Sequence, residues 1–139
     1  MPITSFTGPY RYLSNFYIEP DGTCVEVEYQ AAKHIDYPRS PQSAQSVLSL
    51  FDGLGPSNAR RLGRTLPLRP DWDRIKLDIM FSLVCEKFVD HGHLGRALLD
   101  TGDEELIEGN HWHDTYWGVC DGVGENHLGK ILMRVRRLL

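Results

Sequence analysis

Between about Asp71 and Val89, apolar residues recur at three- and four-residue steps, which is the period of an α-helix. This spacing gathers them on one stripe of the helix, and other parts of the chain must cover that stripe. The stripe consists of Trp72, Ile75, Ile79, Met80, Leu83, Val84 and Phe88. The longest regular segment is therefore predicted to be a core helix.

Shorter helices are predicted on both sides, because glycine and proline interrupt helical sequence at short intervals. They cover about Glu26 to Asp36 with a stop at Pro38, SAQSVLSLF after Pro41, SNARRLGR after Pro56, about His93 to Leu99, and the C-terminus from about Asn126. The expected stops of the second and fifth helices are Gly53 with Gly55 and Thr101 with Gly102. The C-terminal helix is predicted to place one apolar face on the core, formed by Leu128, Ile131, Leu132, Val135 and Leu138.

Strand patterns are few and short. Alternation predicts small strands at ELIEG near residue 106 and at TYWGV near residue 117, and TCVEV before the first helix is a third candidate. With 139 residues, of which 41% are hydrophobic, the chain has the size and the core of one domain. We therefore expect a mainly α fold with a small β element, in a single domain over residues 1–139.

The charge balance limits the partners of the chain. A net charge of −4 gives no overall attraction to a polyanion, although it does not exclude nucleic acid. Local basic clusters, which are most often solvated helix faces, lie at Arg60, Arg61, Arg64, Arg69 and Arg74 and at Arg134, Arg136 and Arg137.

The chain shows no sign of export or of a membrane anchor. Its first residues lack the pattern of a signal peptide, and no apolar run approaches the roughly 18 residues that span a bilayer. Cys24, Cys85 and Cys120 are scattered without CxxC spacing, which suits a reducing compartment. We expect a cytoplasmic protein with no membrane partner.

Glu26, Gln30 and Lys33 are spaced by four and then three residues in the first predicted helix. They share one face, so a carboxylate, an amide and an ammonium project together. From the spacing alone, a solvent-facing helix surface with a weak ion pair remains the commoner interpretation.

A second polar cluster occupies the segment from Gly109 to Gly129, which has no helical period and is dense in histidine, aspartate, asparagine and aromatic residues. Loops of this composition are frequent at binding sites. His111 and His113 with His127 or Cys120 are a weak zinc pattern that lacks a complete set of spaced ligands, so no metal is expected. Cys120 with a histidine base also resembles a thiol nucleophile, but the sequence does not fix that geometry.

Two further features have structural and functional interpretations of similar weight. In YRYLSNFY, Ser14 or Asn15 either caps a turn or hydrogen-bonds a ligand. Trp72 heads the apolar stripe of the longest helix, so the sequence alone predicts it to be a core residue.

These segments occur in an order that resembles the NADAR family, also called YbiA-like, along nearly the whole chain. The matching strings are LSNFY at 13 to 17, VE followed by YQAAK from residue 25, ARRLGR at 59 to 64, LRPDWDRIK at 68 to 76, LLDTGDEELIEGN at 98 to 110, WHDTYWG at 112 to 118 and GENHLGKILMRVR at 124 to 136. Departures are a short turn, PDGTC, before Glu26 and a valine, Val27, directly after it.

The resemblance implies a mainly helical N-glycosidase that hydrolyses a bond between ribose C1 and a nitrogen, without a cofactor. It implies that Glu26 orients or deprotonates the attacking water, and that Asp114 binds ribose hydroxyls or shares this water. The expected substrate-binding set is Ser14, Asn15, Phe16, Gln30, Lys33, Arg64, Trp72, Trp117, Gly118 and Asn126. In this set Lys33 and Arg64 are candidates for phosphate, and Trp72 or Trp117 for stacking on the leaving base.

Two substrate types follow from the resemblance. One is ADP-ribose attached to guanine bases, favoured by the arginine-rich segments and the EGNHWHD loop, which makes ADP-ribosylated DNA a candidate partner. The other is a phosphoribosylamino-pyrimidine intermediate of riboflavin synthesis, favoured by the acidic balance. ADP-ribosylated guanine is the expectation, and a non-catalytic module that binds ADP-ribose or NAD-like ligands is the rival from another class.

Overall fold

The computed structural model describes residues 1–34 and 47–139. Within them the chain forms a 3-10 helix at Gly8–Leu13 and five helices: α1 (Val25–Ala32), α2 (Pro56–Gly63), α3 (Trp72–Asp90), α4 (Gly92–Asp100) and α5 (His127–Leu138). Residues 47–51 are also helical. Two short strands, β1 (Gly109–Asn110) and β2 (Val119–Cys120), pair in parallel with Gly109 opposite Val119. The predicted fold class, mainly α with a small β element, is confirmed.

The predicted long helix is confirmed nearly to the residue, since α3 runs from Trp72 to Asp90. Of its stripe, Trp72, Met80, Val84 and Phe88 are buried, while Ile75, Ile79 and Leu83 are partly buried. Pro56 opens α2, and Thr101 caps the end of α4, followed by Gly102 in a left-handed conformation. Local sequence signals therefore predict most of these helix ends correctly.

Several predictions need correction. The strands predicted at ELIEG and TYWGV form only at the last residue of each string, Gly109 and Val119, and continue one residue beyond it. TCVEV is not a strand, because α1 begins at Val25, although Cys24 forms an isolated bridge with Ile18. The helix α1 ends at Ala32, while its predicted end at Asp36, its stop at Pro38 and the next helix start at Pro41 lie outside the described residues. Leu138 is exposed, because the last turn of α5 extends beyond the core that covers Leu128 and Leu132.

The chain has two compact units: a central unit, Ile18–Leu83, and a terminal unit, Met1–Tyr17 with Val84–Leu139. In the central unit, α1 packs on α2 through Ala31 and Ala59, which form a small buried cluster with Phe51. The backbone N–H of Arg69 donates to the carbonyl of Lys33, and this bond fixes the segment before α3 at the end of α1. The prediction of a single domain stays a prediction.

The terminal unit has a core of fully buried side chains that includes Leu13, Phe88, Leu98, Leu106 and Leu132. The first residues join it through backbone bonds on either side of Ile3, from the Ile3 N–H to the Glu105 carbonyl and from the Ile107 N–H to the Ile3 carbonyl. In the same unit, Nη1 of Arg136 donates to Oγ1 of Thr101, tying α5 to the end of α4.

In the part of the chain that the structure describes, no helix combines the length and the apolar character needed to cross a membrane.

Candidate functional site

Helix α1 places the predicted carboxylate Glu26 and the amide Gln30 inside the central unit. Glu26 is 4% exposed and Gln30 is 3% exposed. The interpretation of this face as a solvent-facing helix surface is therefore wrong for these two residues. Burial of a carboxylate is unfavourable unless charged or polar partners compensate it. The partners of Glu26 are therefore the next feature of the site.

Two donors compensate the Glu26 carboxylate, and both bind the same oxygen. Nε2 of Gln30 donates to Oε1 of Glu26 at 2.8 Å, and Nε of Arg60 donates to Oε1 at 3.2 Å. Among the residues that the structure describes, none donates a hydrogen bond to Oε2 of Glu26. Both hydrogen bonds thus hold the carboxylate through Oε1.

Lys33 stands at the C-terminal cap of α1, half-buried, with Nζ 5.1 Å from the centre of the Tyr29 ring. Burial lowers the pKa of Lys33; the Glu26 carboxylate opposes this change, while the cations of Arg60, Arg64 and Lys76 add to it. Lys33 therefore shares one region of the central unit with several other cations, of which Arg60 is paired with Glu26 and Lys76 with Asp73. An anionic group such as a phosphate would be favoured there.

Arg64 and Trp72 complete the predicted residues of the central unit. Arg64 caps the end of α2 and is exposed, so its guanidinium is accessible. Trp72 is 4% exposed, with its ring centre 5.1 Å from that of Tyr29. This confirms Trp72 as a core residue that joins α3 to α1, and its stacking on a base stays a prediction.

In the terminal unit, Asp114 lies in a braced loop between β1 and β2. Oδ1 of Asn110 accepts from the backbone N–H of Asp114, and Nδ2 of Asn110 donates to the carbonyl of Asp114. Oδ1 of Asp114 in turn accepts from the backbone N–H groups of Tyr116 and Trp117, at 3.1 and 2.9 Å. One oxygen of Asp114 thus organises the loop, and no described residue donates to the other.

The neighbouring predicted residues Trp117, Gly118 and Asn126 have clear structural roles. The Trp117 ring is partly buried and meets the rings of Tyr116 and His127 edge-on. A β-carbon at Gly118 would overlap the side chain and carbonyl of Glu108. Both polar atoms of the Asn126 amide form hydrogen bonds, because Nδ2 donates to the Leu106 carbonyl and Oδ1 accepts from the Glu108 N–H.

The segment from Ser14 to Phe16 follows the 3-10 helix. Oγ of Ser14 accepts from the backbone N–H of Phe16, so the turn interpretation of Ser14 is confirmed. The Ser14 carbonyl accepts from Nζ of Lys87, a lysine that is only 2% exposed. Asn15 and Phe16 are partly buried beside it.

The structure brings Glu26, Gln30 and Lys33 together in the central unit, and it brings Asp114 together with Trp117 in the terminal unit. Sequence reasoning missed three residues as parts of these arrangements, namely Arg60, Gly63 and Asn110. In the sequence, Arg60 is one member of a basic cluster. Its position in ARRLGR carries no local signal for this contact, because the contact forms only when α2 packs on α1.

The structure also shows the surroundings of Cys120, which the sequence suggested as a possible thiol nucleophile. Sγ of Cys120 lies 4.0 Å from Nδ1 of His113 and 3.9 Å from Oδ2 of Asp121. Cys120 is buried, and His113 is exposed with a left-handed backbone. These are long contacts to a buried thiol, so they do not form an activated nucleophile.

Comparison with known proteins gives matches over nearly the whole chain. A family model described as the NADAR domain matches residues 5–139. The N-glycosidase Npun_R5314 of Nostoc punctiforme is 39% identical, with 92% of this chain and 85% of that protein covered. The riboflavin biosynthesis protein VVA0006 of Vibrio vulnificus is 40% identical, with 94% of this chain covered, but the chain spans only 36% of that protein's length.

A solved structure is similar as well. The NMR structure of the Escherichia coli protein YbiA has a TM-score of 0.79 and 30% sequence identity to this chain. The match covers 99% of this chain and 83% of the YbiA chain.

Proposed function

Because the chain belongs to the NADAR domain family and is a hydrolase of N-glycosidic bonds, we propose that Glu26 activates the attacking water and that the substrate is a phosphoribosylamino-pyrimidine. The water oxygen forms a bond to ribose C1, while the electron pair of the C1–N bond stays with the nitrogen. Oε2 of Glu26 takes the proton of the water. The nitrogen leaves as an amine after it takes a proton from solvent, and Glu26 then returns its own proton to solvent.

The observation that carries this proposal is the one-sided binding of the Glu26 carboxylate. A base must lie within hydrogen-bond reach of the water that it deprotonates, in an orientation that other groups fix. Gln30 and Arg60 supply that orientation through Oε1, and both leave Oε2 to the water. The negative charge of Glu26 also offsets the positive charge that develops on C1 and the ring oxygen.

Lys33 and Arg64 are the proposed ligands of the phosphate on the ribose. Burial is the largest cause of the lowered pKa of Lys33, and the nearby cations of Arg60, Arg64 and Lys76 lower it further. A dianionic phosphate would relieve the repulsion among these cations. Such a site would favour a phosphorylated ribose over a free nucleoside.

The pyrimidine substrate is supported by the names of relatives rather than by the site geometry. A relative with 40% identity is named a riboflavin biosynthesis protein, and part of that protein corresponds to nearly all of this chain. The net charge of −4 also suits a small metabolite better than a polyanion.

ADP-ribosylated guanine in nucleic acid is the second candidate. Arg64 and Arg74 are exposed on the central unit and could contact a nucleic-acid backbone. Guanine linked through its amino group and an aminopyrimidine present the same kind of bond at ribose C1, so the same carboxylate chemistry serves both. The relatives named N-glycosidases argue against the non-catalytic binding module.

The test is to incubate the purified protein with each substrate, beside a Glu26→Gln variant, and to measure the released base and sugar by mass spectrometry. We expect release from the phosphoribosylamino-pyrimidine and a loss on the order of 10³-fold in Glu26→Gln. Release from ADP-ribosylated DNA alone, falling steeply with added salt, would replace the first substrate by the second. Turnover by Glu26→Gln at the wild-type rate would refute the assigned base.

A further inference from the structure

The two hydrogen bonds on Oε1 of Glu26 come from different helices. Gln30 lies one turn further along α1, so the bond from its amide is local. Arg60 lies 34 residues away on α2, and its Nε donates from a side chain that is 37% exposed to a Glu26 side chain that is 5% exposed. Only the docking of α2 on α1 brings this guanidinium to the carboxylate.

The orientation of Gln30 shows that the amide serves Glu26. A carboxylate oxygen only accepts hydrogen bonds, so the amide must turn its nitrogen toward Glu26 and its oxygen away. That oxygen, Oε1 of Gln30, is buried and has no hydrogen-bond partner among the described residues. An unsatisfied buried acceptor is unfavourable for stability, and a residue that served packing alone would not carry one.

We propose that Arg60 is a positioning residue of the active site, which together with Gln30 fixes Oε1 of Glu26 so that Oε2 is the oxygen that takes the proton of the water. This inference rests on the proposed role of Glu26 as the base. Because both donors bind Oε1, Glu26 gains and loses a proton at Oε2 without breaking either hydrogen bond. The carboxylate therefore keeps its orientation through the whole reaction.

Arg60→Met and Arg60→Lys test this inference, with Arg61→Met as the matched control. Arg61 is a neighbour on α2, is exposed, and donates to Asn58 rather than to Glu26. We expect kcat to fall about 100-fold in Arg60→Met, since a carboxylate displaced by about 1 Å has that effect, with KM within threefold of wild type. Arg60→Lys should recover part of kcat, because an ammonium can still donate to Oε1, and Arg61→Met should match wild type.

Chemical rescue separates positioning from a purely structural role. Arg60→Ala, with the side chain removed, should regain kcat in millimolar guanidinium but not in sodium chloride at the same ionic strength. A loss confined to KM would overturn the inference, because it would make Arg60 a phosphate ligand. A kcat for Arg60→Met within threefold of wild type would overturn it as well.

A double-mutant cycle in urea unfolding keeps the inference testable without turnover. If Arg60 holds Glu26, the effects of Arg60→Met and Glu26→Gln on stability are not additive, whereas additive effects would contradict the contact. A wild-type protein that releases base from neither substrate refutes the proposed function. The cycle would then still decide whether Arg60 holds Glu26.

Discussion

Gly63 on α2 leaves the space that the side chain of Gln30 occupies, because a β-carbon at position 63 would overlap Oε1 of Gln30. Alanine is otherwise favoured over glycine in a helix by about 1 kcal/mol. We nevertheless expect Gly63→Ala to destabilise the protein by about 1 to 3 kcal/mol, as overpacking of a buried contact does. Because a displaced Gln30 releases Glu26, kcat should also fall by at least about tenfold.

The measurements are urea unfolding and steady-state kinetics, with Gly92→Ala as the control. Gly92 is the first residue of α4, and no described atom would lie within 4 Å of a β-carbon there. This control should be as stable as wild type or slightly more stable. A Gly63→Ala protein with wild-type kinetics would show that Gln30 does not need this position.

Lys33 gives a prediction with opposite signs for stability and for binding. Burial lowers the pKa of Lys33 in the folded protein, so between that value and the ordinary 10.5 the unfolded chain binds more protons. Wild-type stability therefore rises with pH through this window. Lys33→Met should be more stable than wild type at pH 7, with an advantage that shrinks as the pH approaches 10.5.

The same variant should bind a phosphorylated substrate less tightly, with KM raised about tenfold, which corresponds to about 1.4 kcal/mol. Urea unfolding at several pH values and kinetics at pH 7 provide the two readouts. Lys130→Met, at an exposed position of α5, should change neither. An unchanged KM in Lys33→Met would remove Lys33 from the phosphate site.

Much of the helical framework could be predicted because helix formation depends on neighbours in sequence. The apolar period located α3 to within one residue, and proline and glycine marked the ends of α2 and α4. The strand predicted at TCVEV is wrong because a short run with β-branched residues is compatible with either a strand or a helix. Here the packing of the surrounding residues favours the helix. Leu138 has the right spacing, but spacing does not say where the core ends.

The candidate site was predictable in its residue types and not in its contacts. The spacing of Glu26 and Gln30 put them on one face of α1, but their burial depends on α2, whose Arg60 is distant in sequence. Likewise, Asn126 in the sequence suggests a ligand contact, whereas its amide is used by the carbonyl of Leu106 and the N–H of Glu108. Such roles follow from tertiary packing, which local patterns do not encode.

Asn126 should prove essential for stability rather than for binding. It adopts a left-handed backbone with φ of 54°, is 7% exposed, and forms two hydrogen bonds through its amide. Asn126→Ala should lose about 2 to 4 kcal/mol of unfolding free energy, from unpaired backbone groups and the left-handed backbone. Asn126→Gly should lose less, because glycine tolerates this conformation.

Asp121→Ala is the control, since Asp121 is exposed and also left-handed at φ of 51°. Asp121→Ala should cost about 1 kcal/mol, mainly through the backbone, because its contact with Sγ of Cys120 is long at 3.9 Å. Kinetics of the folded Asn126→Gly protein complete the experiment. A KM raised tenfold in a protein with wild-type stability would assign Asn126 to the substrate instead.

Asp114 allows its structural and chemical roles to be separated by two substitutions. Asparagine keeps an acceptor at Oδ1 for the N–H groups of Tyr116 and Trp117, so Asp114→Asn should keep stability within about 0.5 kcal/mol. Asp114→Ala loses that acceptor and should be destabilised by about 1 to 2 kcal/mol. If the charged carboxylate binds the ribose or the water, both variants lose about 100-fold in kcat/KM. Thermal unfolding and kinetics of the pair decide the matter, because full activity in Asp114→Asn would make Asp114 a residue of the loop alone.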